Sequence, residues 1–318
     1  MISVVIPTYR SEDNLPLLLE KLCEVFQKEN TDFEIVVVND NSPDNTLTLL
    51  REICNSQPKI KVISLARNFG QQVAISAGLK NISGDAVIIM DDDLQDPPEF
   101  VPNLINKYNE GYDIVYAIKT KRKEGFLKRF SYKLFYKILA RLSDIPIPQD
   151  SGDFCIMSRE IVTILNGMNE RGRFIRGLRA WVGYKQIGIE CPRGKRHAGE
   201  PAYTLSKMIK LSLDGIFSFS NKPLKVTSWF GFIMSFFAFL GIIITFIQKI
   251  ITFYFPDNKF AVWPGMSSIL LSILLIGGVQ LISIGILGEY IGRIFNEVKQ
   301  RPLYIIKETI GLKKPENL

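Results

Sequence analysis

Five consecutive residues, Asp91-Asp92-Asp93-Leu94-Gln95, hold the densest oxygen chemistry in the chain. In extended backbone Asp91, Asp93 and Gln95 share one side, a period-two arrangement, and Asp92 turns to the other. Hard oxygen ligands grouped in this way suit a divalent cation such as Mg2+ or Mn2+ shared with substrate phosphates. An acidic turn can also open a helix, and the following Asp96-Pro97-Pro98-Glu99 is a good helix start. Position favours the catalytic use. The motif directly follows the apolar run Ala86–Met90, and open α/β sheets place their ligand crevice beyond the carboxyl ends of the strands.

The elements that must position these residues are legible in the first part of the chain. Ser3–Ile6, Glu34–Val38, Lys61–Leu65, Ala86–Met90 and Ile114–Ala117 read as strands, and Asn14–Gln27, Asp44–Asn55, Gln71–Lys80 and Pro98–Tyr108 as helices. Near-continuous Val/Ile runs separated by helices predict an α/β domain around a mostly parallel sheet buried on both faces. Polar clusters follow several strands: Pro7-Thr8-Tyr9, Asn39-Asp40-Asn41, Ala66-Arg67-Asn68 and the acidic motif itself. Their convergence on one sheet edge carries more weight than any one of them.

The remaining chain changes character. Lys119 to Arg141 interleaves positive charges with Phe126, Phe130, Tyr132, Phe135 and Tyr136, and Thr204–Ser218 sets Leu205, Met208, Ile209 and Leu213 against Lys207 and Lys210. Basic amphipathic stretches of this kind suit a membrane interface. Thr227–Gln248 and Ala261–Gly288 contain no charged residue, and each is long enough to cross a bilayer, which takes about 20 apolar residues. Trp229 and Trp263 sit at their starts as interfacial anchors would, and the small residues Gly277, Gly278, Gly285 and Gly288 could let helices pack closely. Positive charge is heavier outside the pair than in the short connection, so both ends are expected in the cytoplasm. The predicted division is a cytoplasmic domain over 1–203, a juxtamembrane amphipathic helix and linker over 204–226, a two-helix transmembrane region over 227–291 and a cytoplasmic tail over 292–318.

Composition narrows the partners. The formal net charge of +7 over 318 residues suits nucleic acid, an anionic membrane or phosphate-bearing substrates. No helix-turn-helix, zinc-finger or RNP-type signature accompanies the charge, so no nucleic-acid partner is expected. Cys23, Cys54, Cys155 and Cys191 form no CxxC pair, and His197 is the single histidine; reduced thiols are expected, and a structural zinc site, which usually takes four ligands, is not. Met1-Ile-Ser-Val-Val-Ile-Pro lacks the basic and long apolar regions of a secretory signal. The N-terminal half should stay cytoplasmic.

Taken in order, the motifs resemble the family 2 glycosyltransferases with a GT-A fold, in particular the polyprenyl-phosphate glycosyltransferases related to dolichol-phosphate mannose synthase. The resemblance spans nearly the whole chain. It rests on Val-Val-Ile-Pro-Thr-Tyr at the start, Val-Val-Asn-Asp-Asn-Ser-Pro-Asp-Asn-Thr near residue 40, Ala-Arg-Asn-Phe-Gly-Gln-Gln at 66–72, the acidic motif, Asp150-Ser-Gly-Asp-Phe154, Arg173-Phe-Ile-Arg-Gly177 and Gly288-Glu-Tyr-Ile-Gly-Arg293. It implies a nucleotide pocket lined by Pro7, Tyr9 and Glu12, with Asp40 reading the base and Asn68 and Asp91 facing the same pocket. Asp91, Asp93 and Gln95 would hold Mg2+ or Mn2+ and the donor diphosphate. Asp153 would be the second carboxylate near the sugar, whether it orients a hydroxyl, stabilises developing positive charge or serves as a base. The acceptor phosphate would fall to Arg122, Lys128, Arg129, Ser131 and Lys133, with Arg122 and Arg129 preferred for their bidentate fork.

By the same resemblance the reaction is an inverting transfer of a hexose from a nucleotide sugar to polyprenyl phosphate. Similarity to bacterial undecaprenyl-phosphate glucosyltransferases implies UDP-glucose as donor, while GDP-mannose, UDP-N-acetylglucosamine and a UDP-amino-arabinose stay open. The expected location is a multi-pass protein of the bacterial inner (plasma) membrane, with homo-oligomerisation left open. One departure stands out: relatives usually carry Ser/Thr-Lys-Tyr after the acceptor loop, whereas this chain reads Gly199-Glu-Pro-Ala-Tyr203. Charge compensation there would fall to Arg193, Lys195 or Arg196. A processive polysaccharide synthase would need a Gln-x-x-Arg-Trp motif and more spans; the nearest segment, Arg176-Gly-Leu-Arg-Ala-Trp181, has the wrong spacing. A non-enzymatic membrane scaffold would have no need of the acidic motif.

Overall fold

The computed structural model describes residues 1–119, 151–192, 222–254 and 265–312. The acceptor-phosphate candidates Arg122, Lys128, Arg129, Ser131 and Lys133, the loop candidates Arg193, Lys195 and Arg196, both amphipathic stretches in most of their length, and Trp263 lie outside them.

Apolar strands alternate with amphipathic helices as the pattern predicts. In chain order they are β1 (Ile2–Thr8), α1 (Leu15–Lys28), β2 (Phe33–Asn39), α2 (Thr46–Ser56), β3 (Ile60–Leu65), α3 (Gln71–Lys80), β4 (Ala86–Ile89), a 3-10 turn at Pro98–Phe100, α4 (Val101–Asn109) and β5 (Ile114–Lys119). β6 (Ser151–Ser158), α5 (Arg159–Gly167), α6 (Ile175–Val182) and β7 (Gln186–Cys191) follow. The chain closes with α7 (Lys222–Tyr254), α8 (Gly265–Val298) and β8 (Ile306–Ile310). The strands and helices expected over residues 3–117 are all present, most of them within one or two residues of the predicted ends, where helix and strand limits are softest.

The strands form one eight-stranded sheet in the order β7-β5-β6-β4-β1-β2-β3-β8. β4, β1, β2 and β3 run parallel, and β6 enters antiparallel between β4 and β5. The sheet is thus the mostly parallel α/β arrangement expected from the sequence. Because β6 runs opposite to β4 with Ile89 paired to Cys155, the start of β6, with Asp153, lies at the same edge as the end of β4, with Asp91. β8 was not foreseen. It lies in the stretch predicted as a tail, pairs antiparallel with β3, and is pinned by two bonds from Arg51 Nη2 to the Glu308 carboxylate at 2.7 and 2.9 Å. The chain leading into it is tied to the loop after β3 and to the loop before α6, since Ala66 N donates to Ile305 O at 2.9 Å and Arg171 donates to the Arg301 carbonyl.

Burial follows the strand period. Val4, Ile6, Ile35 and Val37 join Leu15, Leu18, Leu22 and Phe26 of α1 in the main core, while the alternate residues Val5 and Val38 face α3. That helix approaches unusually closely at Gly78, where a Cβ would stand 2.4 Å from Val5 Cγ1 and 3.1 Å from Val38 Cγ2. Under the sheet, the buried Glu34 carboxylate accepts from Ser3 Oγ and Ser83 N, both at 2.5 Å, and pairs with Lys61. Burial pushes its pKa up, but the Lys61, Ser3 and Ser83 donors outweigh that and leave it lowered.

The chain divides into two units, 1–215 with 300–318, and 216–299. The second unit holds α7 and α8, each with a stretch long and apolar enough to cross a membrane: Lys222–Gly241 with mean hydropathy 1.4 and Leu275–Val298 with 1.5. Their large apolar side chains face outward, Phe232 at 74%, Phe253 at 80% and Leu281 at 72% exposure, as a span in hydrocarbon requires and a core helix does not. The expected close packing at glycine is not seen among the described residues: a Cβ at Gly277, Gly278, Gly285 or Gly288 would meet nothing within 4 Å.

Two outcomes follow from this packing. Gly78→Ala should destabilise the protein by about 1–3 kcal/mol, the usual cost of overpacking, read as a lower midpoint in denaturant melts of the detergent-solubilised chain. A carboxylate with a depressed folded pKa contributes stability that is present above its unfolded pKa and lost as pH falls through the folded one. Wild type should therefore lose more stability than Glu34→Gln between about pH 5 and pH 3; parallel acid melts of the two would contradict the ion-paired state of Glu34.

Candidate functional site

The site is built where β1, β2, β4 and β6 meet the first turn of α3. β1 ends in buried Pro7 and Thr8, and Tyr9 and Arg10 then emerge into solvent with the Arg10 guanidinium 5.4 Å from the Tyr9 ring centre. The loop after β1 is stitched to the loop after β2: Arg10 N donates to Ser42 Oγ at 3.1 Å, Ser11 N to Thr46 Oγ1 at 3.2 Å, and Asn45 N to Glu12 Oε2 at 2.9 Å. Pro7, Tyr9, Glu12 and Asp40 are thereby gathered at one strand edge.

Asp40 is buried, and its two oxygens accept from Phe69 N and Gly70 N, each at 2.7 Å. The loop that carries Asn68 thus closes over it, while Asn68 itself is exposed. Burial raises the Asp40 pKa, against the two N–H donors and the nearby Arg67. Each carboxylate oxygen keeps a second lone pair side for a further donor. The loop depends on Gly70, whose φ of +96° and ψ of 154° belong to a region essentially reserved for glycine.

Asp91 leaves the end of β4 and accepts from Gln71 Nε2 at 2.7 Å. The backbone beyond it is not extended, as the period-two reading assumed. It bends through Asp92, Asp93 and Leu94, with Leu94 at a left-handed φ of 58°, and Asp93 Oδ1 accepts from Gln95 N at 3.1 Å. This Asx-type turn, which competes with extended backbone wherever Asp precedes a turn, leaves Gln95 buried. Asp92 is a structural tie: its Oδ2 accepts from Ser11 Oγ at 2.5 Å, joining the ends of β4 and β1. Burial chiefly raises its pKa, with the adjacent Asp93 charge adding to the effect and the Ser11 and Thr8 hydroxyls opposing it.

Asp153, near the start of β6, is buried with two partners. Arg176 Nε of α6 lies 3.0 Å from Oδ1, and Gln72 Nε2 donates to Oδ2 at 2.9 Å. The Arg173-Phe-Ile-Arg-Gly177 motif therefore splits its work. Arg176 pairs with Asp153, while Arg173 donates to Ser76 Oγ and to the Leu165 and Met168 carbonyls at the end of α5. Arg179, one turn on, is fully buried with its guanidinium 4.8 Å from the Tyr116 ring centre. Gln71, Gln72 and Arg176 stand inside the motifs that carry the resemblance, at 66–72 and 173–177, but the sequence assigns them no role. Two adjacent amides at a helix start and an arginine in a short motif name polar residues without naming partners.

Among the described residues no group of three or more His, Cys, Asp or Glu forms a cation cage by itself. The donor set present, the Asp91 and Asp93 carboxylates with the Gln95 amide, is all hard oxygen, and Mg2+ or Mn2+ commonly takes one or two carboxylates and completes its shell with substrate phosphates and water. The residues fit such an ion.

The chain is similar to known proteins of one family. Residues 3–165 match glycosyl transferase family 2. The uncharacterized glycosyltransferase YkcC of Bacillus subtilis is 42% identical over 98% of this chain and 94% of its own length. The SfII prophage-derived bactoprenol glucosyl transferase of Shigella flexneri is 40% identical over 97% of this chain and 98% of its own. A glucosyl-3-phosphoglycerate synthase of Mycobacterium tuberculosis, solved with Mn2+, uridine-diphosphate-glucose and phosphoglyceric acid, overlaps 68% of this chain and 77% of that one at 21% identity and a TM-score of 0.45.

Gly70→Ala should cost about 1–3 kcal/mol through its backbone conformation alone, since a Cβ there would meet nothing within 4 Å. The loop should also loosen over Asp40, raising the amide hydrogen-exchange rates of Phe69 and Gly70; unchanged exchange would mean that the loop tolerates a side chain.

Proposed function

We propose that this chain, which belongs to glycosyl transferase family 2, transfers a hexose from a nucleotide sugar to a polyprenyl phosphate at the membrane surface, with inversion at the anomeric carbon. The observation that carries the reading is the convergence of Asp40, Asp91 and Asp153 on one sheet edge, in a chain that also holds two helices apolar enough to span a bilayer. The bactoprenol glucosyl transferase of Shigella flexneri, 40% identical over 98% of its length, supports undecaprenyl phosphate as acceptor and glucose as sugar; UDP-glucose is the donor this reading takes.

The chemistry asks little proton transfer of the protein. A phosphate monoester has a second pKa near 6, so the acceptor is mostly dianionic at neutral pH. One of its oxygens attacks the anomeric carbon as the bond to the nucleoside diphosphate breaks, and the electron pair leaves with the diphosphate. Asp40 and Glu12 would receive the base and ribose, with Pro7, Tyr9 and Asn68 as walls. Asp91, Asp93 and Gln95 would hold a divalent cation, which supplies positive charge beside the departing diphosphate. Asp153, held between Arg176 and Gln72, would face the sugar, where it would orient a hydroxyl, stabilise developing positive charge or serve as a base. Arg122, Lys128, Arg129, Ser131 and Lys133 would seat the acceptor phosphate, and Arg193, Lys195 and Arg196 would close over the diphosphate. The heavier positive charge outside the helical pair puts the α/β domain and both termini on the cytoplasmic side.

The test is a donor panel incubated with undecaprenyl phosphate, Mn2+ and the detergent-solubilised protein, with lipid products identified by mass spectrometry. UDP-glucose should give a hexosyl lipid; Asp93→Ala should lower turnover about a thousandfold, the scale of several kcal/mol of charge stabilisation, with its melt intact, and chelator should abolish transfer. Undiminished turnover in chelator or in Asp93→Ala would remove the cation from the reading, and a panel with no lipid product would remove the acceptor.

A further inference from the structure

The consecutive amides Gln71 and Gln72 reach two different carboxylates. Gln71 Nε2 donates to Asp91 Oδ1 at 2.7 Å and Gln72 Nε2 donates to Asp153 Oδ2 at 2.9 Å. Neighbouring helical positions point about 100° apart, so two adjacent residues can serve two strands that one side chain could not. The Gln72 amide is oriented unambiguously: its Oε1 accepts from Ile175 N at 2.8 Å, so its NH2 group must face Asp153. Ile175 opens α6, where the first N–H groups lack partners within the helix. A single amide therefore joins the start of α6 to the carboxylate that Arg176 of the same helix also grips.

We propose that Gln71 and Gln72 are positioning residues with separate duties. Gln71 holds Asp91 in the orientation that meets the cation and the donor diphosphate. Gln72 holds Asp153 against the sugar and keeps α6 registered to it. The assignment of what Asp91 and Asp153 face rests on the glycosyl-transfer reading above; the division of labour rests on the hydrogen bonds alone. Partners one step removed from a ligand commonly change metal affinity or activity by about 10–100-fold when lost. The two losses should appear in different quantities, because the two carboxylates belong to different strands and different parts of the donor.

The experiment compares Gln71→Leu, Gln72→Leu and Gln72→Glu in the full-length protein. Mn2+ binding in the presence of UDP is followed by the electron paramagnetic resonance signal of the free ion, alongside kcat and KM for UDP-glucose. Gln71→Leu should weaken Mn2+ binding by about tenfold, with transfer largely restored at high Mn2+. Gln72→Leu should leave the Mn2+ midpoint and KM within about twofold and lower kcat by about 10–100-fold. Gln72→Glu keeps an acceptor for Ile175 N but sets a second negative charge against Asp153, so its kcat should fall at least as far. A side chain that merely filled space would give the opposite order, with the near-isosteric Glu milder than Leu. Unchanged Mn2+ binding in Gln71→Leu, unchanged kcat in Gln72→Leu, or equal shifts of both quantities in both variants would overturn the division. If wild type makes no lipid-linked sugar, the acceptor reading fails by itself. The Mn2+ titration then still judges Gln71, and the rate of UDP-glucose hydrolysis judges Gln72.

Discussion

Bringing several carboxylates to one edge of a sheet is electrostatically costly, and that cost organises the molecule around it. At an effective dielectric near 20, two unit charges 4 Å apart repel by about 4 kcal/mol, and burial adds a desolvation penalty to each. The protein meets this by giving each carboxylate its own donors. Asp40 takes two backbone N–H groups, Asp92 a serine hydroxyl, Asp91 an amide, and Asp153 an amide together with the charge of a guanidinium 3.0 Å away. Three of these four sets come wholly or partly from residues 69–72, so the entry to α3 is the hub of the site. The site needs α3 close to the sheet, and the missing side chain at Gly78 is what lets the helix approach.

The same logic explains the second layer. Arg173 joins α3 to the end of α5 through Ser76, Leu165 and Met168, which steadies the loop that delivers Ile175 and Arg176. On the other side, the chain returning from α8 enters the sheet as β8, covering the β3 edge with a short, charge-anchored strand. An exposed strand edge is a template for unwanted pairing, and a short, charged strand is one way to blunt it; with β8 the sheet ends in a five-residue strand that carries Lys307 and Glu308. The segment before β8 reaches Ala66 and Arg171, each a few residues from a group that holds a site carboxylate.

Much of this was legible in the residues. Val/Ile runs punctuated by amphipathic segments gave the strand and helix order because burial on both faces leaves no other composition for a parallel sheet. The acidic motif was found by its place after a strand, and two uncharged stretches announced the apolar helices. Details that depend on local turn chemistry were harder. Asp91, Asp93 and Gln95 were expected along one face of extended backbone, yet Leu94 adopts a left-handed turn and Asp93 bonds to the Gln95 amide. A short Ile-Lys-Glu-Thr-Ile run after a long apolar helix carries too little pattern to be read as a strand; β8 is formed by its ladder with β3 and the packing of Ile310 on the core, with Arg51, 257 positions earlier, bonded to Glu308.

What the sequence determined by itself was therefore the class of fold, the sheet edge at which the polar loops converge and the acidic residues that stand there. These follow from periodicity and from strand ends, which are properties of neighbouring residues. Which donor meets which carboxylate was decided only in three dimensions. Gln71 and Gln72 are alike in type and adjacent in sequence, yet they serve strands 20 and 81 positions away. Their partners follow from the 100° step of a helix set against the register of β4 and β6, a relation that no local pattern of residues encodes.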